Sequence, residues 1–267
     1  MTGYVHLDFV DLALAAILLF FNGALSLVLQ LRLERQLAIS AVRMIVQLMA
    51  IGFVLRALFS TVSPWLTALA ALVMVLFAGR EIMARQERRL TGWWSYGLGV
   101  SCMATAAFAV TVFALLTQIE TDPWYHPRFA IPILGMVMGN TMTGIALGLD
   151  RLTSSAARER TAIEAQLCLG ATRFQAMLPF TRQAVRSALM PTINAMAATG
   201  LVSLPGMMTG QILSGVDPVE ATKYQLLVMF LISGGTSLGA VAAVIAGTLR
   251  ITDSRHRLRL DRMTTGP

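Results

Sequence analysis

The sequence predicts an all-α integral membrane protein, on three observations. Of its 267 residues, 56% are hydrophobic and only 13% are charged, whereas a soluble domain carries roughly a quarter charged residues. Apolar blocks of about 20 residues recur along the chain, each long enough to cross a bilayer core of roughly 30 Å. The Lys and Arg residues gather in alternate connections between those blocks. The alternating strands of about 10 residues that would build a membrane barrel do not occur in the sequence.

The blocks follow one another closely. Block one runs from about Phe9 to Leu31, block two from Gln36 to Phe59, and block three from Pro64 to Met83. Block four, Trp93 to Gln118, opens with two indoles suited to the membrane interface. Block five is Phe129 to Leu149. Block six is Val185 to Leu213, interrupted by Pro191 and Pro205. Block seven is Tyr224 to Leu249, and a basic tail covers 250–267. The expectation is about seven transmembrane helices in one membrane domain, 1–267. The opening stretch holds Asp8 and Asp11 but no Lys or Arg, so block one is expected to stay as a helix rather than be cleaved as a signal peptide.

Charge sets the orientation. All but four of the 21 Lys and Arg residues fall after blocks one, three, five and seven; the four are Arg43, Arg56, Arg128 and Lys223. The opposite connections carry Glu120, Asp122, Asp217 and Glu220. Basic loops stay in the cytoplasm, so the amino terminus is expected outside and the carboxyl terminus inside. The net charge of +7 then belongs to loops at an anionic leaflet and implies lipid contact, not nucleic acid.

The longest polar interlude is Arg158 to Pro179, in the third cytoplasmic connection. It reads as a helical hairpin. Thr161 with Glu164, and Thr172 with Gln175, each fit the capping box, in which hydroxyl and carboxyl or amide side chains satisfy free backbone donors. Ile163, Leu167 and Gly170 recur on one helical face, and Gly170 suits a left-handed helix end. Phe174, Met177 and Leu178 give the second helix an apolar side, and Pro179 is expected to end it or mark the entry to block six. Arg182 and Arg186 are one turn apart and can reach the cytoplasmic surface.

The order Glu164-Ala165, Gly170, Leu178-Pro179 resembles the EAA motif of ABC-transporter permeases, a cytoplasmic hairpin that docks on an ATPase subunit. Gln166 stands where that motif has alanine, and the glycine-to-proline spacing is shorter. Together with IPILGMVMGNTMTGIALGLDRL (131–152) and GLVSLPGMMTGQILSGVDPVEATKYQ (200–225), the hairpin is similar to the FetB-type family of ABC permeases. That family is associated with bacterial iron export and has plant relatives linked to aluminium tolerance. The resemblance implies a permease of the bacterial inner membrane, working as two copies with two copies of a separate ATPase. ATP and Mg would be bound by that partner. The chain has no G-x-x-x-x-G-K-[ST] phosphate loop of its own, so it is expected not to be an enzyme and to hold no cofactor. In this reading Glu164, Ala165, Gly170 and Pro179 form the coupling contact, with Arg158, Arg160 and Arg173 pairing with acidic groups on the ATPase.

Polar residues within the blocks mark a candidate pathway. Arg43 and Gln47 share one face of block two. An intramembrane Arg faces protein or water, or reaches back to the headgroups, and both readings stay open. In block five, Gly135 and Gly139 face away from Gly144 and Gly148, which predicts a helix sandwiched between close neighbours. Asn140 near its centre lines a path or bonds a neighbouring helix. Asn194 follows Pro191 in block six, and Pro205-Gly206 breaks its outer half. Broken backbone at membrane depth needs protein or a watery cavity around it, so an outer gate is expected at Pro205, Met207, Met208 and Gln211. Met136, Met138, Met142, Met196, Met207 and Met208 read as adaptable packing or, less simply, as soft-metal ligands. His126, Asp217 and Glu220 in outer loops are ordinary solvated residues or weak candidates to receive a divalent ion.

Cys102 and Cys168 offer no disulfide framework. His6, His126 and His256 are scattered, which argues against a membrane-embedded transferase needing clustered groups at one face. An ion-coupled secondary transporter would hold an ionisable group at the midplane within inverted repeats, and neither is visible. The remaining rival is an ABC exporter of another cargo, such as a different metal or a nucleotide sugar.

Overall fold

The computed structural model describes residues 8–119 and 122–265; His6 and Glu120 lie outside them. The helices are α1 (Phe9–Val28), α2 (Glu34–Ser60), α3 (Pro64–Ala84), α4 (Trp94–Thr117), α5 (Pro127–Arg158), α6 (Arg160–Cys168), α7 (Arg173–Ala198), α8 (Gly206–Leu213) and α9 (Pro218–Ile251). Three of them, α3, α5 and α9, open with proline in the first turn, where its missing N–H costs nothing. His126 caps α5 by accepting from the Arg128 amide, and Asp217 caps α9 by accepting from the Val219 and Glu220 amides.

The core is built around α5, which packs on α9, α7, α4 and α3. Glycines let the backbones approach. A methyl group added at Gly239 or Gly235 of α9 would collide with Thr141 or Val137 of α5. One added at Gly148 would lie 2.9 Å from Val244 and 3.2 Å from Ala188. These pairings run α5 parallel to α9 and antiparallel to α7. Val137, Ile145, Leu149, Leu152, Ala243 and Val244 are buried between them. The expected sandwich around block five is present: Gly144 and Gly148 meet α7 and α9, and Gly135 meets Met74 of α3. Gly139 has no such neighbour within 4 Å, nor do Gly206 and Gly210.

By length and composition, six helices can cross a membrane: α1, α2, α3, α4, α5 and α9. The apolar faces of α1 and α2 are almost wholly exposed, as in Phe20, Phe21, Val46 and Phe53. In a membrane protein that surface meets lipid or another protein. The chain is thus an all-α membrane protein.

Block six differs from expectation. α7 begins inside the polar hairpin and runs unbroken through both Pro179 and Pro191. Pro179 therefore does not end a helix. Each proline removes one backbone hydrogen bond, but Ala176, Met177, Ala184, Ala188 and Thr192 are buried in the bundle and the segment stays helical across the gaps. α7 is too polar to meet the composition that marks the other six, with Arg182, Gln183, Arg186 and Asn194 along it. The break falls at 199–205, with Gly200 at φ +95° and a bridge between Thr199 and Ser203. Pro205 then precedes α8 as its N-cap.

The basic tail is not a loose end. Met263–Thr265 (β2) pairs antiparallel with Arg88–Leu90 (β1) in the α3–α4 connection. Arg250, at the end of α9, sits 4.3 Å over the Trp94 ring, a cation–π contact.

The packing gives a direct test. A methyl added at Gly144 would lie 2.8 Å from Thr236 and 3.2 Å from the Ala188 carbonyl. Gly144→Ala should destabilise the fold by about 1–3 kcal/mol and lower the unfolding midpoint of the detergent-solubilised protein. Gly139→Ala, with open space around it, should leave that midpoint within error.

Candidate functional site

Two regions bring the candidate residues together: the α6–α7 hairpin at the Arg-rich end, and a polar face along α7 and α5.

The hairpin is held by local chemistry and by burial. α5 ends at Arg158 and α6 starts at Arg160, so only Glu159 separates them. The Ile163 amide still bonds the Glu159 carbonyl at 3.1 Å, as if one helix had kinked. Thr161 consequently lies within α6 and has no free amide to cap. The expected Thr161–Glu164 capping box is absent, and Glu164 instead accepts from Arg160 Nε at 2.8 Å. The other box is present: Thr172 accepts from the Gln175 amide, and the Gln175 side chain accepts from the Thr172 amide.

α6 ends as Gly170 foretold. Gly170 has φ +92°, which a side chain rarely tolerates. Its amide bonds the Leu167 carbonyl at 3.1 Å, and the Ala171 amide bonds the Gln166 carbonyl at 3.0 Å. That pair of bonds is the Schellman closure of a helix end. Ile163, Ala176 and Met177 are fully buried beneath the hairpin. Its outer surface carries exposed apolar side chains among polar ones: Leu169 is 88% exposed, Phe174 54% and Leu178 43%, beside exposed Arg158, Arg160 and Gln175. Ala165, Gln166 and Cys168 are also exposed. Arg173 lies 4.9 Å over the Phe174 ring. Six of the seven coupling candidates therefore lie in or beside one compact hairpin. Pro179 lies further along α7, exposed.

Along α7, the side chains of Gln183, Arg186, Ser187, Met190, Pro191 and Asn194 line one open groove. Of these, only Asn194 is among the pathway residues the sequence marks. The signal for the others is their spacing, since 183, 187, 190 and 194 fall on one helical face. Gly144 of α5 lies against Ala188 of α7. Asn140 and Asn194 are then about 6 and 9 Å further along their helices from that contact, at similar depth. Asn140 is exposed, and its amide donates to the Met136 carbonyl at 2.9 Å.

The other pathway candidates lie elsewhere. Arg43 of α2 pairs with Glu81 of α3 at 2.5 Å, a partner that spacing within block two could not reveal. Gln47 is exposed on α2. Met207, Met208 and Gln211 stand on α8, which packs on α9. The Gln211 side-chain carbonyl is buried without a hydrogen-bond partner, and so is that of Gln225 in α9. Among the methionines, Met138 is buried, Met136 and Met142 are partly buried against the core, and Met196 and Met207 are exposed.

The weak metal candidates have local roles. His126 and Asp217 cap helices, and Glu220 pairs with Lys223 at 2.6 Å. Among the described residues no group of three or more His, Cys, Asp or Glu is close enough to hold a metal ion.

Comparison with known proteins agrees with this architecture. No solved structure matches the chain. It is 38% identical to a UPF0014 membrane protein of Synechocystis, over 95% of this chain and 96% of that one. It is 35% identical to the "Probable iron export permease protein FetB" of Escherichia coli, over 93% of each. It is 34% identical to the "Protein ALUMINUM SENSITIVE 3" of Arabidopsis thaliana, over 86% of this chain and 82% of that one. Residues 9–251 match the uncharacterised protein family UPF0014, and the chain belongs to that family.

Proposed function

We propose that this chain is the membrane subunit of an ABC exporter, driven by a separate ATPase and moving iron or another metal ion. The observation that carries the reading is the hairpin: a structured, buried-footed element at the Arg-rich end that exposes Leu169, Phe174 and Leu178 among basic and polar side chains. Exposed apolar side chains on a capped, well-packed element suit a protein partner. The Arg-rich end is cytoplasmic in this reading, by the positive-inside rule, and that is where an ATPase would sit. The relative named as a probable iron export permease supports both the transport role and the direction.

α7 supplies the seventh crossing. Its 26 residues extend about 39 Å, and it lies alongside α5 and α9. Its polar groove cannot face lipid, because Arg, Gln and Asn are costly there. A second copy of the chain closes that groove into a pathway past Asn140 and Asn194, with the broken segment 199–205 and α8 at its outer end. ATP binding draws the two ATPases together, and the hairpins pass that movement to α5 and α7 as a rigid-body shift.

A second reading concerns the cargo. The α7 groove presents Arg186 with Gln183, Ser187 and Asn194, and no carboxylate. That donor set favours export of an anionic organic molecule, such as a nucleotide sugar. Accumulation assays across several metals, in cells lacking the protein, separate the two cargoes.

In membrane vesicles, cargo movement should require both ATP and a separate ABC ATPase. Undiminished activity in vesicles without any ATPase would rule the proposal out. Gly170→Pro, which cannot adopt φ +92°, should still insert but lose at least about tenfold in ATPase co-purification. Glu164→Lys should behave likewise, although the exposed pair it breaks contributes only about 0.2–1 kcal/mol to stability. Full transport by both variants would remove the hairpin from the mechanism.

A further inference from the structure

Beyond α9 the chain doubles back into a tight turn. Thr252 and Leu258 form an antiparallel bridge, and the Arg259 amide donates to the Ile251 carbonyl at 2.8 Å. Asp253 organises this turn. Its Oδ1 accepts from the Arg255 and Arg257 amides, both at 3.0 Å, and its Oδ2 accepts from Arg257 Nε at 3.0 Å. Partial desolvation pushes the Asp253 carboxyl up, but the Arg257 amide and guanidinium outweigh it and bring it below the usual carboxylate range. Arg259 holds Asp261 lower still, at about 2.

The tip of the turn reaches the hairpin. His256 has φ +53°, and its Nδ1 accepts a hydrogen bond from the Arg173 amide at 3.0 Å. Arg173 is the first residue of α7. The opening amides of a helix have no partner within it. Thr172 takes that of Gln175, and His256 takes that of Arg173 from 83 residues away. An imidazole can accept there only while Nδ1 carries no proton.

The tail is also tied on its other side. Arg262 donates to the Arg250 carbonyl at 3.0 Å, and its own carbonyl accepts from the Thr91 amide at 2.8 Å. Leu258 and Met263 pack against the core. One short segment therefore joins the end of α9, the α3–α4 connection and the first turn of α7.

We propose that the tail is a clasp that holds the hairpin to the membrane core, with His256 as the positioning residue. The proposal rests on the reading of the hairpin as an ATPase contact. Its physical reason is Pro179. That residue leaves a missing hydrogen bond in α7, between the hairpin turn and the part of α7 that lies in the groove, and such a point is where a loaded helix bends. Force applied at the hairpin tip would be spent in bending there. With the first turn tied to α9 and β1, the same force moves these helices together.

Two substitutions separate the hydrogen bond from the backbone shape. His256→Gly keeps the left-handed turn and removes the acceptor. His256→Asn tolerates the same φ and places an acceptor oxygen where Nδ1 stands. Hydrogen exchange of the segment 170–178, measured on the purified full chain alone, should be about tenfold faster in the Gly variant and restored in the Asn variant. In vesicles with the ATPase, cargo moved per ATP hydrolysed should fall several-fold in the Gly variant and recover in the Asn variant. Asp253→Ala, which unties the turn, should reproduce the Gly result. Unchanged exchange in both the Gly and Asp253 variants would show that no clasp forms. Faster exchange with unchanged cargo per ATP, or failure of Asn to restore either quantity, would equally overturn the proposal. If the wild-type chain binds no ATPase, the permease reading itself falls and the coupling role falls with it. The exchange measurement, made without ATPase, keeps that failure distinct.

Discussion

The structure depends on how closely α5 can approach its neighbours. Lipid tails are as apolar as the side chains of a span, so helices in a bilayer gain little from the hydrophobic effect when they meet. Close packing must supply the contact. Gly144 and Gly148 on α5, with Gly235 and Gly239 on α9, remove the side chains that would keep these backbones apart. Thr141, Ile145 and Leu149 then fill the seam without exposure. α1 and α2, which lack such a seam, remain at the periphery with their apolar faces uncovered.

That packing places the hairpin. α5 is one helix of 32 residues, capped by His126 at one end and kinked directly into α6 at the other. α7 leaves the hairpin and returns along α5 through Ala184 and Ala188. A displacement of the hairpin is therefore applied to α5 and to α7, the helix that lines the polar groove. The same geometry explains why α7 can carry two prolines and three arginines and still stay helical: its buried face is fixed by α5 and α9, and its polar face is left uncovered by the rest of the chain.

Local signals in the sequence were legible, and distant partners were not. The fold class, most span boundaries, the Thr172–Gln175 box and the Gly170 helix end all follow from residues within a few positions of one another. Where the reading failed, a contact from elsewhere decided the outcome. Pro179 sits within a helix because the bundle holds that helix. Thr161 caps nothing because α5 passes into α6 with only Glu159 between them, which leaves Thr161 inside the second helix. Glu81 and His256 carried no local signal, since each acts on a residue of another element, Arg43 and Arg173 respectively. The polar face of α7 was half visible, because its spacing was legible but the start of the helix had been placed twelve residues too late.

The central claim is that the α6–α7 hairpin is the surface an ATPase grips. Leu169, at its tip and 88% exposed, is the place to ask. A photo-activatable residue substituted at Leu169 in the full-length chain, and activated in intact cells, should capture an ABC ATPase in a single cross-linked product. The same probe at Val219, exposed at the opposite end of the molecule, should capture none. Capture of the ATPase from Val219 but not from Leu169 would contradict the account.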